Sequence, residues 1–77
     1  MSNYLTKVKK LIEDKFGVDP SEINEESYFE DDLNIGAMEL MEFLSELEEE
    51  LKIDLVEDKD EIESVGDLVD LISEKLD

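Results

Sequence analysis

Apolar residues recur along this chain at helical intervals. Leu5, Val8, Ile12 and Phe16 form one stripe, which predicts an amphipathic helix from about Tyr4 to Phe16. Gly17 follows as a natural C′ residue, free to take the left-handed backbone that ends a helix. A second stripe, Leu40, Phe43, Leu44, Leu47 and Leu51, predicts a helix from Gly36 or Ala37 to Leu51. Gly36 is acceptable at its N-cap, and Glu39 lies in the first turn, where the helix dipole favours an acid. A third stripe, Val65, Leu68, Val69, Ile72 and Leu76, follows the capping box Ser64-Val65-Gly66-Asp67. No useful run alternates with period two, so a sheet is not expected.

The segments between the stripes are punctuated rather than featureless. Residues 17–36 hold the apolar pins Val18, Ile23, Tyr28, Phe29, Leu33 and Ile35. They also hold two helix-start signatures, Asp19-Pro20-Ser21-Glu22 and the box Ser27-Tyr28-Phe29-Glu30, which predict short helical turns packed on the bundle. Residues 52–63 carry Ile53, Leu55, Val56 and Ile62 among many acids, with a short helix expected near Lys59–Ile62. The fold class read from this pattern is all-α, a small three-to-four-helix bundle with a long, partly structured loop between helices 1 and 2. Residues 1–77 are read as one domain.

Composition narrows the chemistry. There is no cysteine and no histidine, which removes disulfides, thiolate metal sites, and any Ser-His or Cys-His catalytic pair. No stretch approaches the roughly 20 apolar residues of a membrane span, and the N-terminus is not a signal peptide, so the expectation is a cytoplasmic protein. Acidic residues number 25 against 7 lysines, with no arginine. Residues 1–15 carry a net charge of +2, leaving −20 on the remainder. Such a surface repels nucleic acid and anionic lipid, attracts proteins with basic patches, and favours a monomer. High charge can also mean disorder, but 31 apolar residues, 22 of them Leu, Ile or Val, fall at helical spacing.

Calcium is the metal rival. A loop counted from Asp31 puts Gly36 and Glu42 at the glycine and bidentate-acid positions of an EF-hand, yet Leu33 and Ile35 occupy positions that must supply oxygen. No metal site is expected. Acids are plentiful, but no further catalytic group accompanies them, so an enzyme is not expected either.

The stretch Asp31-Asp32-Leu33-Asn34-Ile35-Gly36-Ala37-Met38-Glu39-Leu40-Met41-Glu42-Phe43-Leu44 is an acidic pair, a glycine turn and an acidic amphipathic helix. It resembles the signature of the acyl carrier protein family, in which Asp-Ser-Leu opens the second helix and the serine carries 4′-phosphopantetheine. The resemblance runs through nearly the whole chain: Val8-Lys9-Lys10-Leu11-Ile12, Phe16-Gly17-Val18, Phe29 to Leu33, Leu47-Glu48-Glu49-Glu50-Leu51, and Ser64-Val65 with its stripe. The departures are Gly36 for the aspartate, Ala37 for the serine and Met38 for the leucine, of which the glycine and the methionine suggest a specialised carrier.

The resemblance implies a carrier-type bundle that holds acyl groups as thioesters on 4′-phosphopantetheine and presents them to partner enzymes. Those partners are a phosphopantetheinyl transferase, acyl ligases, ketosynthases and acyltransferases with basic docking patches. Ala37 has no oxygen to accept the arm, so this form cannot be loaded there. Other serines do not replace it. Ser45 lies inside the helix, Ser27 and Ser64 look like caps, and Ser2, Ser21 and Ser73 lack a following acidic helix. Two explanations stand: an engineered Ser→Ala change, preferred because alanine occurs nowhere else in the chain, or a natural acidic adaptor without a covalent cofactor. The family's recognition role carries over to Met38, Glu39, Met41 and Glu42, and more weakly to Glu46, Glu48 and Glu49. On the helix wheel the two methionines lie beside the core stripe, a position that suits either docking or ordinary packing. The family's acyl-chain cleft would be lined by Leu40, Phe43, Leu44, Leu47, Ile62, Leu68 and Ile72, for which plain packing is the alternative.

Overall fold

The computed structural model describes residues 4–76. Its helices are α1 (Tyr4–Phe16), α2 (Ala37–Leu51) and α3 (Val65–Leu76), with 3₁₀ segments at Pro20–Glu22 and Val56–Glu61. Among the described residues there is no strand, only an isolated antiparallel bridge between Tyr28 and Ser64. The expected all-α bundle is what forms, and both long helices begin and end where the apolar stripes place them.

Each helix is closed by local chemistry. At the end of α1, Gly17 takes φ +72° and its N–H donates to the Glu13 carbonyl at 2.9 Å. Asp19 accepts from the Ser21 N–H and the Ser21 hydroxyl, each at 2.9 Å, which starts the Pro20–Glu22 turn. These bonds, the backbone one foremost, hold the Asp19 carboxyl below its ordinary range. At α3 the box closes both ways. Asp67 N–H donates to Ser64 Oγ at 3.2 Å, and Ser64 N–H donates to Asp67 Oδ2 at 3.1 Å.

The core gathers one stripe from each helix and the pins of the loops. Val8 and Ile12 of α1, Phe43, Leu44 and Leu47 of α2, and Val65, Leu68, Val69 and Ile72 of α3 are buried with Ile23, Phe29, Leu33, Ile35, Leu55 and Ile62. Phe16 and Phe43 meet edge-to-face with ring centroids 5.7 Å apart, joining α1 to α2. Each buried aliphatic or aromatic side chain is worth about 1.5–3 kcal/mol of transfer free energy.

Three expectations need correction. Ser27 starts no helix. Its hydroxyl accepts the Asn24 N–H at 3.0 Å, and the chain makes only a short turn at residues 29–33, with Asp32 N–H donating to Tyr28 O at 2.9 Å, after an isolated bridge between Tyr28 and the start of α3. There Phe29 N–H donates to Glu63 O at 3.1 Å and Val65 N–H to Ser27 O at 2.9 Å, so these groups are already satisfied without a helix. Gly66 allows this approach, because a Cβ there would sit 2.8 Å from the Glu25 carbonyl oxygen. Second, the short helix expected near Lys59–Ile62 is present but begins earlier, spanning Val56–Glu61, and is 3₁₀. Third, Leu76 is exposed, because α3 runs past the edge of the core after Ile72. Ser2 lies outside the described residues.

Candidate functional site

The approach to α2 is a built turn. Asn34 sits in the left-handed region at φ +57°, while Leu33 and Ile35 on either side are buried. Ile35 N–H donates to the Phe29 carbonyl at 2.7 Å, which fixes the chain just before the helix. Gly36 is the N-cap with extended backbone (φ −72°, ψ 173°), and its carbonyl receives the Leu40 N–H at 2.9 Å. The Glu39 carboxylate turns back and accepts the Gly36 N–H at 3.1 Å, the half of a capping box that needs no side chain on the cap. Neither backbone nor space requires glycine here, since an added Cβ would meet only Glu39 Oε1 at an ordinary 3.5 Å.

Ala37 is therefore the first residue of α2, and it is exposed. The opening turn of a helix presents backbone N–H groups without intrahelical acceptors and the positive end of the dipole. Beside it Met38 is 80% exposed and Met41 40% exposed, too open for core packing to account for them. Both face a cleft of about 530 Å³ that begins at Ala37. Its walls are Tyr28, Phe29 and Ile35 of the loop, Leu40 of α2, and Ile62 after the second 3₁₀ segment. Its rim is acidic, with Glu30, Asp31, Asp60 and Glu63 against Lys59.

The seven residues expected to line an acyl cleft are divided by this geometry. Leu40 and Ile62 reach it. Leu44, Leu68 and Ile72 are sealed within the core. Phe43 and Leu47 are also buried, and lie under a separate groove on the α1 side of α2. Tyr28, Phe29 and Ile35 contribute walls that the helix wheel of α2 could not identify. Their signal was present in the sequence as isolated apolar residues within an acidic segment just before the site.

The acids of α2 divide as well. Glu42 is exposed near the two methionines. Glu46 pairs with Lys15 of α1, and this hydrogen bond, helped by the charges of Glu46 and Glu42, holds the Lys15 ammonium above its usual range. Glu49 is exposed on the α1 side, beside Asp14 and Glu50. Glu48 turns inward. Its Oε2 accepts the N–H of Leu55 at 2.6 Å and of Val56 at 2.8 Å. Those two bonds, the Leu55 one first, hold its carboxyl below the ordinary glutamate range, with Lys75 adding to the effect.

Known proteins resemble this chain in sequence and fold. Residues 6–72 match the family described as the phosphopantetheine attachment site. The acyl carrier protein of Clostridium acetobutylicum is 42% identical over 67 residues, which is 86% of this chain and 87% of that protein. The chain belongs to the acyl carrier protein family. The acyl carrier protein of Clostridium perfringens is 41% identical over 69 residues, 88% of this chain and 91% of its own length. A solved structure of the acyl carrier protein from Enterococcus faecalis, studied for its high thermal stability, matches with a TM-score of 0.78 and 35% identity. That match covers 97% of this chain and 99% of the other.

The cofactor of the acyl carrier family is 4′-phosphopantetheine. Attachment as a phosphoester needs a side-chain hydroxyl. At residue 37, where the sequence resemblance expects the attachment serine, the side chain is a methyl group, which does not fit the group. Among the described residues, no helix of this carrier-family chain is long and apolar enough to cross a membrane.

Proposed function

We propose that this chain is the scaffold of a specialised acyl carrier protein in which Ala37 stands in the place of the attachment serine. The serine-bearing form holds acyl groups as thioesters on 4′-phosphopantetheine and presents them to enzymes with basic docking patches. A phosphopantetheinyl transferase, acyl ligases, ketosynthases and acyltransferases are the classes that fit. The chain itself is a carrier and not a catalyst. One observation supports this reading above the others: residue 37 is exposed at the first position of α2 and opens directly onto an apolar cleft. Met38, Met41 and Glu42 make the docking face around it, and Glu39 shapes the turn from within.

The test is to restore the oxygen. Ala37→Ser, incubated with coenzyme A and a carrier-protein synthase, gains the phosphopantetheine mass, while the unaltered chain gains none. Absence of the adduct with several transferases, in a folded Ala37→Ser protein, refutes the reading. That result would favour the second one, an acidic adaptor that docks on a basic partner without covalent cargo. The alanine itself is what speaks for that alternative.

A further inference from the structure

Val56–Glu61 is attached to the bundle in an unusual way. None of its residues is buried. Its flanking residues, Leu55 and Ile62, are pinned in the core at 0% and 3% exposure. Between those pins the 3₁₀ repeat is broken at Asp58 (φ −102°, ψ 17°). Upstream, Lys52 occupies the left-handed region at φ +59°, where a lysine is conformationally disfavoured. Val56 is half-buried against the core, but it is the segment's one apolar side chain, so apolar stabilisation reaches only its first residue. Beyond Val56, its position depends on polar ties.

Among the described residues, two such ties come from other helices. From α2, the Glu48 carboxylate takes both N–H groups at the segment's start, at 2.6 and 2.8 Å. Hydrogen bonds to an ionised acceptor are the strong kind. From α3, Lys75 Nζ lies 3.3 Å from Asp58 Oδ2, with both side chains only about one-third exposed at 29% and 31%. The segment held this way forms one side of the cleft, through Lys59 and Asp60 and the adjoining Ile62.

We propose that Glu48 is a positioning residue, a latch that holds the Val56–Glu61 segment in place as a wall of the cleft beside Ala37, with Lys75–Asp58 as a second latch. Glu48 is thus withdrawn from the docking acids of α2. With it released, the segment moves between Lys52 and Ile62 while the three-helix core stays intact. The consequence for cargo rests on the carrier reading above. The latch itself does not, and its test involves no loading at residue 37.

Amide hydrogen exchange on the full chain tests it. Glu48→Ala should raise exchange at Leu55 and Val56 at least tenfold, with Glu48→Gln intermediate because it keeps one neutral acceptor. Ile12 and Ile72 should change by less than threefold. Lys75→Gln should raise exchange chiefly around Asp58. The neutral fluorophore N-phenyl-1-naphthylamine should bind severalfold more strongly to Glu48→Ala as the cleft widens. Exchange at Leu55 and Val56 within twofold of the unaltered chain overturns the proposal. So does a rise matched at Ile12 and Ile72, which would mean general destabilisation. Should the variants fail to fold, the unaltered protein still decides. Through-hydrogen-bond scalar couplings from the Leu55 and Val56 amides to the Glu48 carboxyl carbon are expected, and their absence overturns the latch.

Discussion

At the scale of single residues, burial separates side chains that share one helix. Met38 and Phe43 lie five residues apart on α2, yet one is 80% exposed and the other 2%. Removing Phe43 empties a fully packed site and its edge contact with Phe16, at a cost of about 3–5 kcal/mol. A chain this small holds a net stability of only about 3–5 kcal/mol. Phe43→Ala is therefore expected to be largely unfolded at 25 °C by circular dichroism. Met38→Ala removes little buried surface and should shift stability by less than about 0.5 kcal/mol. It should nonetheless weaken binding to a basic partner protein, read by titration calorimetry. Equal loss of melting temperature in the two variants would remove Met38 from the docking face. The acids are sorted by partner rather than by position. Glu39 serves the cap, Glu46 a lysine and Glu48 two amides, while Glu42 adds its charge to the field at Lys15.

At the scale of elements, the ends of α2 contrast. Its start is well made, with a satisfied N-cap amide and an acid in the first turn. Its end is not, because the left-handed position is filled by Lys52 rather than glycine. The Lys52 N–H still closes on the Glu48 carbonyl at 2.7 Å, so the motif forms in spite of its residue. Lys52→Gly should exceed Lys52→Gln in stability by about 1 kcal/mol, the glutamine control removing the same charge. For a domain of this size that is a melting difference of about 4–8 °C. No difference would mean that the lysine stem offsets the backbone cost by packing.

At the scale of the whole molecule, a net charge of −18 dominates. The ion pairs Lys7–Glu50, Lys15–Glu46 and Lys75–Asp58 join different helices or segments. Exposed pairs are worth at most about 1 kcal/mol each. Self-repulsion acts on every acid and is screened once the Debye length falls to about 8 Å at physiological ionic strength. The melting temperature should therefore rise between 10 and 150 mM sodium chloride, measured by calorimetry, while association with basic partners slows. A fall in melting temperature would show that the ion pairs outweigh the repulsion.

Much of this was legible in the sequence because it is local. The spacing of Leu5, Val8, Ile12 and Phe16, the glycine after them, and the stripe from Leu40 to Leu51 depend only on 3.6 residues per turn and on cap chemistry. The same holds for Ala37 at the head of α2 and for the missing hydroxyl, a matter of composition. Tertiary structure decided what depends on contacts across the chain. The Ser27 box obeys the local rule for a helix start, but only one short turn follows at residues 29–33, because Ser27 and Phe29 pair with Val65 and Glu63. Glu48 sits on the helix wheel like its acidic neighbours, and only the return of residues 52–56 beneath it supplies the two amides that turn it inward. The cleft likewise combines a loop, a helix and a 3₁₀ segment that no single period connects. Helical periodicity specifies which side of an element is apolar. Which groups face one another across elements is set by packing, because burial requires each polar group to find a partner wherever the fold brings one near.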